Sequence, residues 1–126
     1  QNILFCNKLM FIKSAHPQNI KIWRTVQLIP LGKVASYGMI ADSSGFPGRA
    51  RFVGTSIGFV SQGMQVPWHR VLRSNGQIAF PLGSEQSQRQ IGLLQQEDVA
   101  VLNNRVNLSL FLWQPDLSEM LCRLKY

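Results

Sequence analysis

Ser36-Tyr37-Gly38-Met39-Ile40-Ala41-Asp42, the run Ser43-Ser44-Gly45-Phe46-Pro47-Gly48 and the segment from Arg49 to Val60 form the stretch on which the fold turns. Ser36 is placed to cap a short helix, because its hydroxyl can accept a backbone N–H of the first turn. The run that follows concentrates residues that helices exclude and turns use. From Arg49 onward, Phe52, Val53, Ile57 and Val60 recur at the spacing of a helix with one buried face. The opposite face carries Gly54, Thr55 and Gly58. A glycine inside a helix costs about 1 kcal/mol relative to alanine, so this pair needs a reason. Close approach of a partner to the backbone is one, and tight packing against a neighbouring helix is another. Short helix, breaker turn and a second short helix opened by basic residues together outline a helix-turn-helix.

Upstream, His16-Pro17 to Pro30 reads as a first helix, with Ile20, Trp23, Val26 and Leu28 on its apolar stripe and Pro17 in the first turn. Downstream, the polar loop Ser61 to Gln65 leads into Val66-Pro67-Trp68-His69-Arg70-Val71. Pro67 fixes its own φ and restricts Val66, so Trp68 and His69 are presented on a rigid, extended approach. Taken alone, those six residues fit a core aromatic with a polar neighbour as well as a positioned site. Arg70 to Ile78 predicts a β-hairpin, because Asn75-Gly76 suits a two-residue type I′ turn. Ser84 is set to cap a helix from Glu85 to Glu97. Beyond it, Val99 and Val101, the turn Asn103-Asn104, and the alternation of Val106, Leu108, Leu110 and Leu112 predict a second hairpin with a long outer strand. Pro115 ends that strand, and Leu117, Met120, Leu121 and Leu124 predict a short closing helix. The expected class is mainly α with short β-hairpins, in one domain spanning residues 1–126.

Composition supports a globular reading, with 45% apolar residues among 126. No apolar run approaches the roughly 20 residues that cross a bilayer. Residues 1–14 lack the features of a signal peptide and are an expected leader without assigned role. Cys6 and Cys122 stand far apart, and two histidines with two scattered cysteines do not make a zinc site, so no metal or cofactor is expected. The expected location is the cytoplasm, with the nucleoid as the alternative if the source is bacterial, and no membrane partner. Net charge is +7, and residues 1–84 hold nine Lys or Arg against one acid, Asp42. Such an excess is the electrostatic footprint of a nucleic-acid binder.

Gly32-Lys33-Val34-Ala35-Ser36-Tyr37-Gly38, then Ala50-Arg51-Phe52-Val53-Gly54, then Pro67-Trp68-His69-Arg70-Val71 resemble, in this order and spacing, the DNA-binding domain of the O6-alkylguanine-DNA alkyltransferases. The likeness covers roughly residues 17–97 and implies a winged-helix-like helix-turn-helix of the alkyltransferase type. In that family the third motif reads Pro-Cys-His-Arg-Val, and the cysteine is the nucleophile. Tryptophan at that position marks the alkyltransferase-like proteins, which this sequence resembles. The resemblance implies that Arg51 enters the duplex where a base has been extruded. It implies that Tyr37 contacts the phosphate of the target nucleotide. His69 and Glu97 match the pair that helps to deprotonate the thiol, and residues 77–82 match the wall of an alkyl pocket. It also implies minor-groove docking, with Gly54, Thr55 and Gly58 facing the DNA.

Side-chain chemistry limits what such a site can do. Direct alkyl transfer needs a soft, ionisable nucleophile such as a thiolate. An indole offers a donor N–H and a π-face but no such nucleophile. The first reading is therefore a damage sensor without catalytic residues. It binds double-stranded DNA containing O6-alkylguanine as a monomer and flips the base into a pocket of Pro67, Trp68, His69, Arg70 and Glu97. By resemblance, it flags the lesion for nucleotide excision repair proteins. The alternatives are an alkyltransferase acting through another group and a helix-turn-helix transcriptional regulator.

Overall fold

The structure is a computed structural model and describes residues 17–58 and 65–115. Helix α1 spans Pro17–Gln27 and buries Ile22, Trp23, Thr25 and Val26. Its end is tied by N–H bonds from Leu28 to Thr25 and from Ile29 to Val26, so it stops before Pro30. A two-residue strand β1, Ala35–Ser36, leads directly into α2, Tyr37–Ser43. Ser36 caps α2 as its chemistry predicts, its Oγ accepting from the Met39 N–H at 3.0 Å. Helix α3 is described over Ala50–Gly58, within the span expected from its apolar spacing.

The three helices close around one core, in which Trp23 and Val26 of α1 meet Ile40 and Ala41 of α2 and Val53 of α3. Two polar connections stitch it. Trp23 Nε1 donates to the Ser56 carbonyl at 2.8 Å, and the Ser44 hydroxyl bonds that of buried Thr25 at 3.0 Å. Each satisfies a group whose burial would otherwise cost about 1–3 kcal/mol.

Beyond α3 comes a 3-10 turn, Trp68–Arg70, and strand β2, Val71–Leu72. β2 pairs with β1 in parallel, Ala35 opposite Val71 and Ser36 opposite Leu72. Parallel strands need a long crossover, and here the helix-turn-helix itself is that connection. Successive strand residues point to opposite faces, which makes this small ribbon a partition. Ala35 and Val71 enter the first core, whereas Val34 and Leu72 enter a second one with Ile78, Leu94, Val99 and Val106. Helix α4, Glu85–Gln96, is capped by Ser84 and covers the second core through Leu94.

The strand expectations need two corrections. Residues 70–78 do not form the two-residue hairpin that Asn75-Gly76 suggests. β2 is taken by β1, and Gln77 instead bridges antiparallel to Arg105. The turn is closed by Arg73 N–H to Gln77 C=O and Gly76 N–H to Arg73 C=O. Only Gly76 has a positive φ, +86°, whereas a type I′ turn needs two such residues. A Cβ at Gly76 would also lie 2.4 Å from the Val106 carbonyl oxygen, so the turn tip packs where a side chain cannot fit.

The second correction falls on Val106–Leu112. β3, Val101–Leu102, and β4, Arg105–Val106, form the hairpin, and Asn103 and Asn104 both adopt positive φ at its turn. Leu108–Phe111 is then a single helical turn, α5, instead of a continued strand. Asn107 starts it by accepting from the Ser109 N–H, and Leu108 and Phe111, three residues apart, pack on the second core. Leu110, which the alternating pattern would bury, is 64% exposed. Leu112 then bridges to Val34, and the Trp113 N–H donates to the Val34 carbonyl, which brings the buried Trp113 ring onto the first core. The leader, Cys6, Cys122 and the closing helix expected at 117–124 lie outside the described residues.

Candidate nucleic-acid interface

Between α3 and the 73–77 turn runs an open groove of about 920 Å³. Arg51, Gly54 and Thr55 form one wall, Arg73, Ser74 and Asn75 the other, and Tyr37 and Gly38 contribute from the start of α2. Among the described residues its lining includes two guanidinium groups, a phenol, two aliphatic hydroxyls and no carboxylate. That donor set suits an anion, because the guanidinium groups, the phenol, the Ser74 hydroxyl and the Asn75 amide can donate to a phosphate oxygen, while the Thr55 hydroxyl donates to the Arg51 carbonyl at 3.2 Å. Burial pushes the Tyr37 phenol up from its ordinary pKa, and the Arg73 guanidinium pulls it back part of the way. The result is a neutral O–H, a donor, at any physiological pH.

The two reasons for glycine in α3 can now be separated. A Cβ at Gly54 would sit 3.9 Å from Tyr37 Cε1, an ordinary contact, and one at Gly58 would meet nothing within 4 Å. No described neighbouring helix demands the missing side chains. Both residues are exposed, which leaves the backbone open to approach from outside.

The second group of residues is built differently. Trp68, His69 and Arg70 occupy the 3-10 turn, entered from Val66-Pro67 with Pro67 at φ −76° and ψ 68°. His69 donates through Nε2 to Glu97 Oε2 at 2.6 Å. Arg70 grips the same carboxylate with two bonds of 2.9 Å, from Nε to Oε1 and from Nη2 to Oε2. Its Nη1 reaches the Ile29 carbonyl at 2.7 Å, and the Gly32 N–H donates to Glu97 Oε1 at 3.2 Å. Burial works to raise the Glu97 pKa, but the bonds from Arg70, His69 and Gly32 together outweigh it and bring the carboxyl down to about 2. Gln90 completes the attachment by donating from Nε2 to the carbonyls of His69 and Val71.

Trp68 itself is half-buried. Its ring meets His69 and Phe80 edge to face, at centroid separations of 6.2 and 6.4 Å, and the Arg89 guanidinium lies 5.9 Å from its centroid. The structure thus brings His69, Arg70 and Glu97 into one hydrogen-bonded cluster and sets Trp68 on the turn that cluster holds. Tyr37, Arg51, Gly54 and Thr55 share the groove, whereas Gly58 lies at the end of α3 outside its lining. Of the segment expected to wall an alkyl pocket, Ala79 lines the groove and Phe80 flanks Trp68. Sequence patterns do not single out Arg73, Ser74, Asn75, Arg89 or Gln90 as site residues. Arg73 has a signal in the basic excess of the first two thirds, but nothing local to Gln90 or Arg89 marks them.

The sequence matches the family model described as 6-O-methylguanine DNA methyltransferase, DNA binding domain, over residues 17–99. It is 37% identical over 97 residues to a DNA base-flipping protein of Vibrio parahaemolyticus, covering 76% of this chain and 95% of that one. Alkyltransferase-like protein 1 of Schizosaccharomyces pombe is 37% identical over 100 residues, covering 75% of this chain and 93% of the relative. The crystal structure of S. pombe Atl1 in complex with damaged DNA containing O6-carboxymethylguanine superposes with a TM-score of 0.71 at 36% identity, over 79% of this chain and 96% of that one.

Proposed function

Because the chain belongs to the family of 6-O-methylguanine DNA methyltransferase DNA-binding domains, we propose that it senses damaged DNA without repairing it. It binds double-stranded DNA containing O6-alkylguanine through the groove along α3. Tyr37 and the Arg73–Asn75 turn contact the sugar-phosphate backbone, and the exposed glycine face lets that backbone approach closely. Extruding a base costs a few kcal/mol. Arg51, exposed on α3, offsets part of that cost by entering the vacated space. The base lodges beside Trp68, where burial of the alkyl group against indole and Phe80 favours damaged over normal guanine.

The observation that carries this reading is Trp68 itself, in the Pro67-Trp68-His69-Arg70 motif, whose next two residues, His69 and Arg70, both bond Glu97. The supporting frame of an alkyl-transfer site is assembled around a residue that cannot accept an alkyl group. The protein therefore leaves the lesion in place, acts as a monomer in the cytoplasm or on the nucleoid, and presents the distorted site to nucleotide excision repair proteins. The test incubates the protein with a duplex whose O6-methylguanine carries a labelled methyl group. Retention of label on the DNA, with tighter binding than to the undamaged duplex, is expected. Label recovered on the protein, or equal affinity for the two duplexes, overturns the proposal.

A further inference from the structure

Arg89 is an exposed cation on α4 whose guanidinium lies 5.9 Å from the centroid of the Trp68 ring. Among the described residues the ion pairs all converge on Glu97, from His69 and from Arg70, and none involves Arg89. Its helix neighbour Gln90 is buried and anchors the Trp68 turn, so α4 holds Trp68 from beneath and sets Arg89 at its ring. Phe80 supplies the apolar edge of the same surface. The indole thus carries an aromatic wall on one side and an uncompensated guanidinium at another.

We propose that Arg89 is a specificity-determining residue that reads the far end of the O6 substituent, favouring lesions whose alkyl chain ends in a carboxylate. This deepens the damage-sensing reading and rests on it. A guanidinium is a rigid planar donor fork that matches a carboxylate with two parallel bonds. Contact with the indole limits its freedom before the lesion arrives, which lowers the entropy lost on binding. A neutral alkyl group would use only the apolar contact with Trp68 and Phe80. An O6-carboxymethyl group would use that contact and the Arg89 pair as well.

The experiment measures affinity by fluorescence anisotropy for duplexes containing O6-carboxymethylguanine, its uncharged isostere O6-carbamoylmethylguanine, O6-methylguanine or normal guanine. The parent protein should bind the carboxymethyl duplex about tenfold more tightly than the carbamoylmethyl one, the range of a charge-assisted pair. Arg89→Gln should remove that difference and leave O6-methylguanine binding within about twofold, while Arg89→Lys should keep part of it. Equal affinity of the parent for the charged and uncharged isosteres overturns the inference alone. So does an equal loss on all four duplexes with Arg89→Gln, which would make Arg89 a phosphate contact. If the parent prefers none of the alkylated duplexes to normal guanine, the damage-sensing reading falls and this inference with it.

Discussion

The groove along α3 and the turn carrying Trp68 serve one proposed site but are held in opposite ways. In the groove, Arg51, Gly54 and Thr55 stand exposed on a helix, and Arg73, Ser74 and Asn75 stand exposed on the facing turn. At Trp68 the turn is tied from three directions, at its backbone by Gln90 and through the His69 and Arg70 side chains to Glu97 and to the Ile29 carbonyl. The difference separates two jobs. A surface that meets phosphates needs donors left free for the ligand, whereas a pocket that compares one base with another needs its wall held in place beforehand.

The strongest way to break this contrast is to remove Glu97. Its carboxylate accepts from Arg70, His69 and Gly32, and its side chain is only 9% exposed. Glu97→Ala leaves Arg70 with a largely buried charge and should lower the unfolding free energy by about 3 kcal/mol, as measured by denaturant titration. The same group predicts an acid transition. Its folded pKa, about 2, lies below the ordinary 4.5, so its contribution is fully present above 4.5 and is lost as pH falls through 2. That loss is on the order of 3 kcal/mol, and it should be missing from the acid titration of Glu97→Ala.

Substitutions in the groove should instead spare the fold and weaken DNA binding. Arg51→Ala should cost about 2 kcal/mol of lesion affinity, roughly thirtyfold, and more than Lys21→Ala does. An equal effect of the two would reduce Arg51 to a general phosphate contact. Trp68→Ala tests the other side of the comparison. It should reduce the ratio of affinities for O6-methylguanine and normal duplex by about tenfold, through loss of apolar contact. A competition titration with unchanged discrimination would remove Trp68 from the reading of the lesion.

The smallest effect carries two signs. Gly54→Ala introduces a Cβ with only an ordinary contact, 3.9 Å from Tyr37, so the helix should gain about 1 kcal/mol in a thermal melt. If the exposed backbone is where DNA approaches, the same change should weaken binding severalfold. A variant both more stable and equally tight would return Gly54 to a purely structural role.

Much of the fold is legible in the sequence because its causes are local. Ser36 and Ser84 cap their helices, since a hydroxyl beside a first turn needs only that turn to act. Apolar spacing places α1 and α4, and the Asn103-Asn104 turn takes the positive φ values its residues tolerate. Sequence and structure part where two local patterns compete for a partner. Val71-Leu72 reads as half of a hairpin, but β1 lies across the two cores and takes it in parallel. Leu108 to Leu112 alternate as a strand does, yet Asn107 caps a turn and the second core accepts Leu108 and Phe111 from helical spacing.

The residues alone determine the motif order, the basic bias and the inability of Trp68 to take up an alkyl group, because each depends on residue identity and spacing and on no distant neighbour. Tertiary structure alone decides which groups meet. Glu97 is 27 residues from Arg70 and 65 from Gly32, and Gln90 is 21 from His69. Hydrogen bonds across such separations form only once α4 has packed beneath the Trp68 turn. That packing follows from burying Leu72, Ile78 and Leu94 together in one core, a cooperative gain that no single stretch of the chain contains.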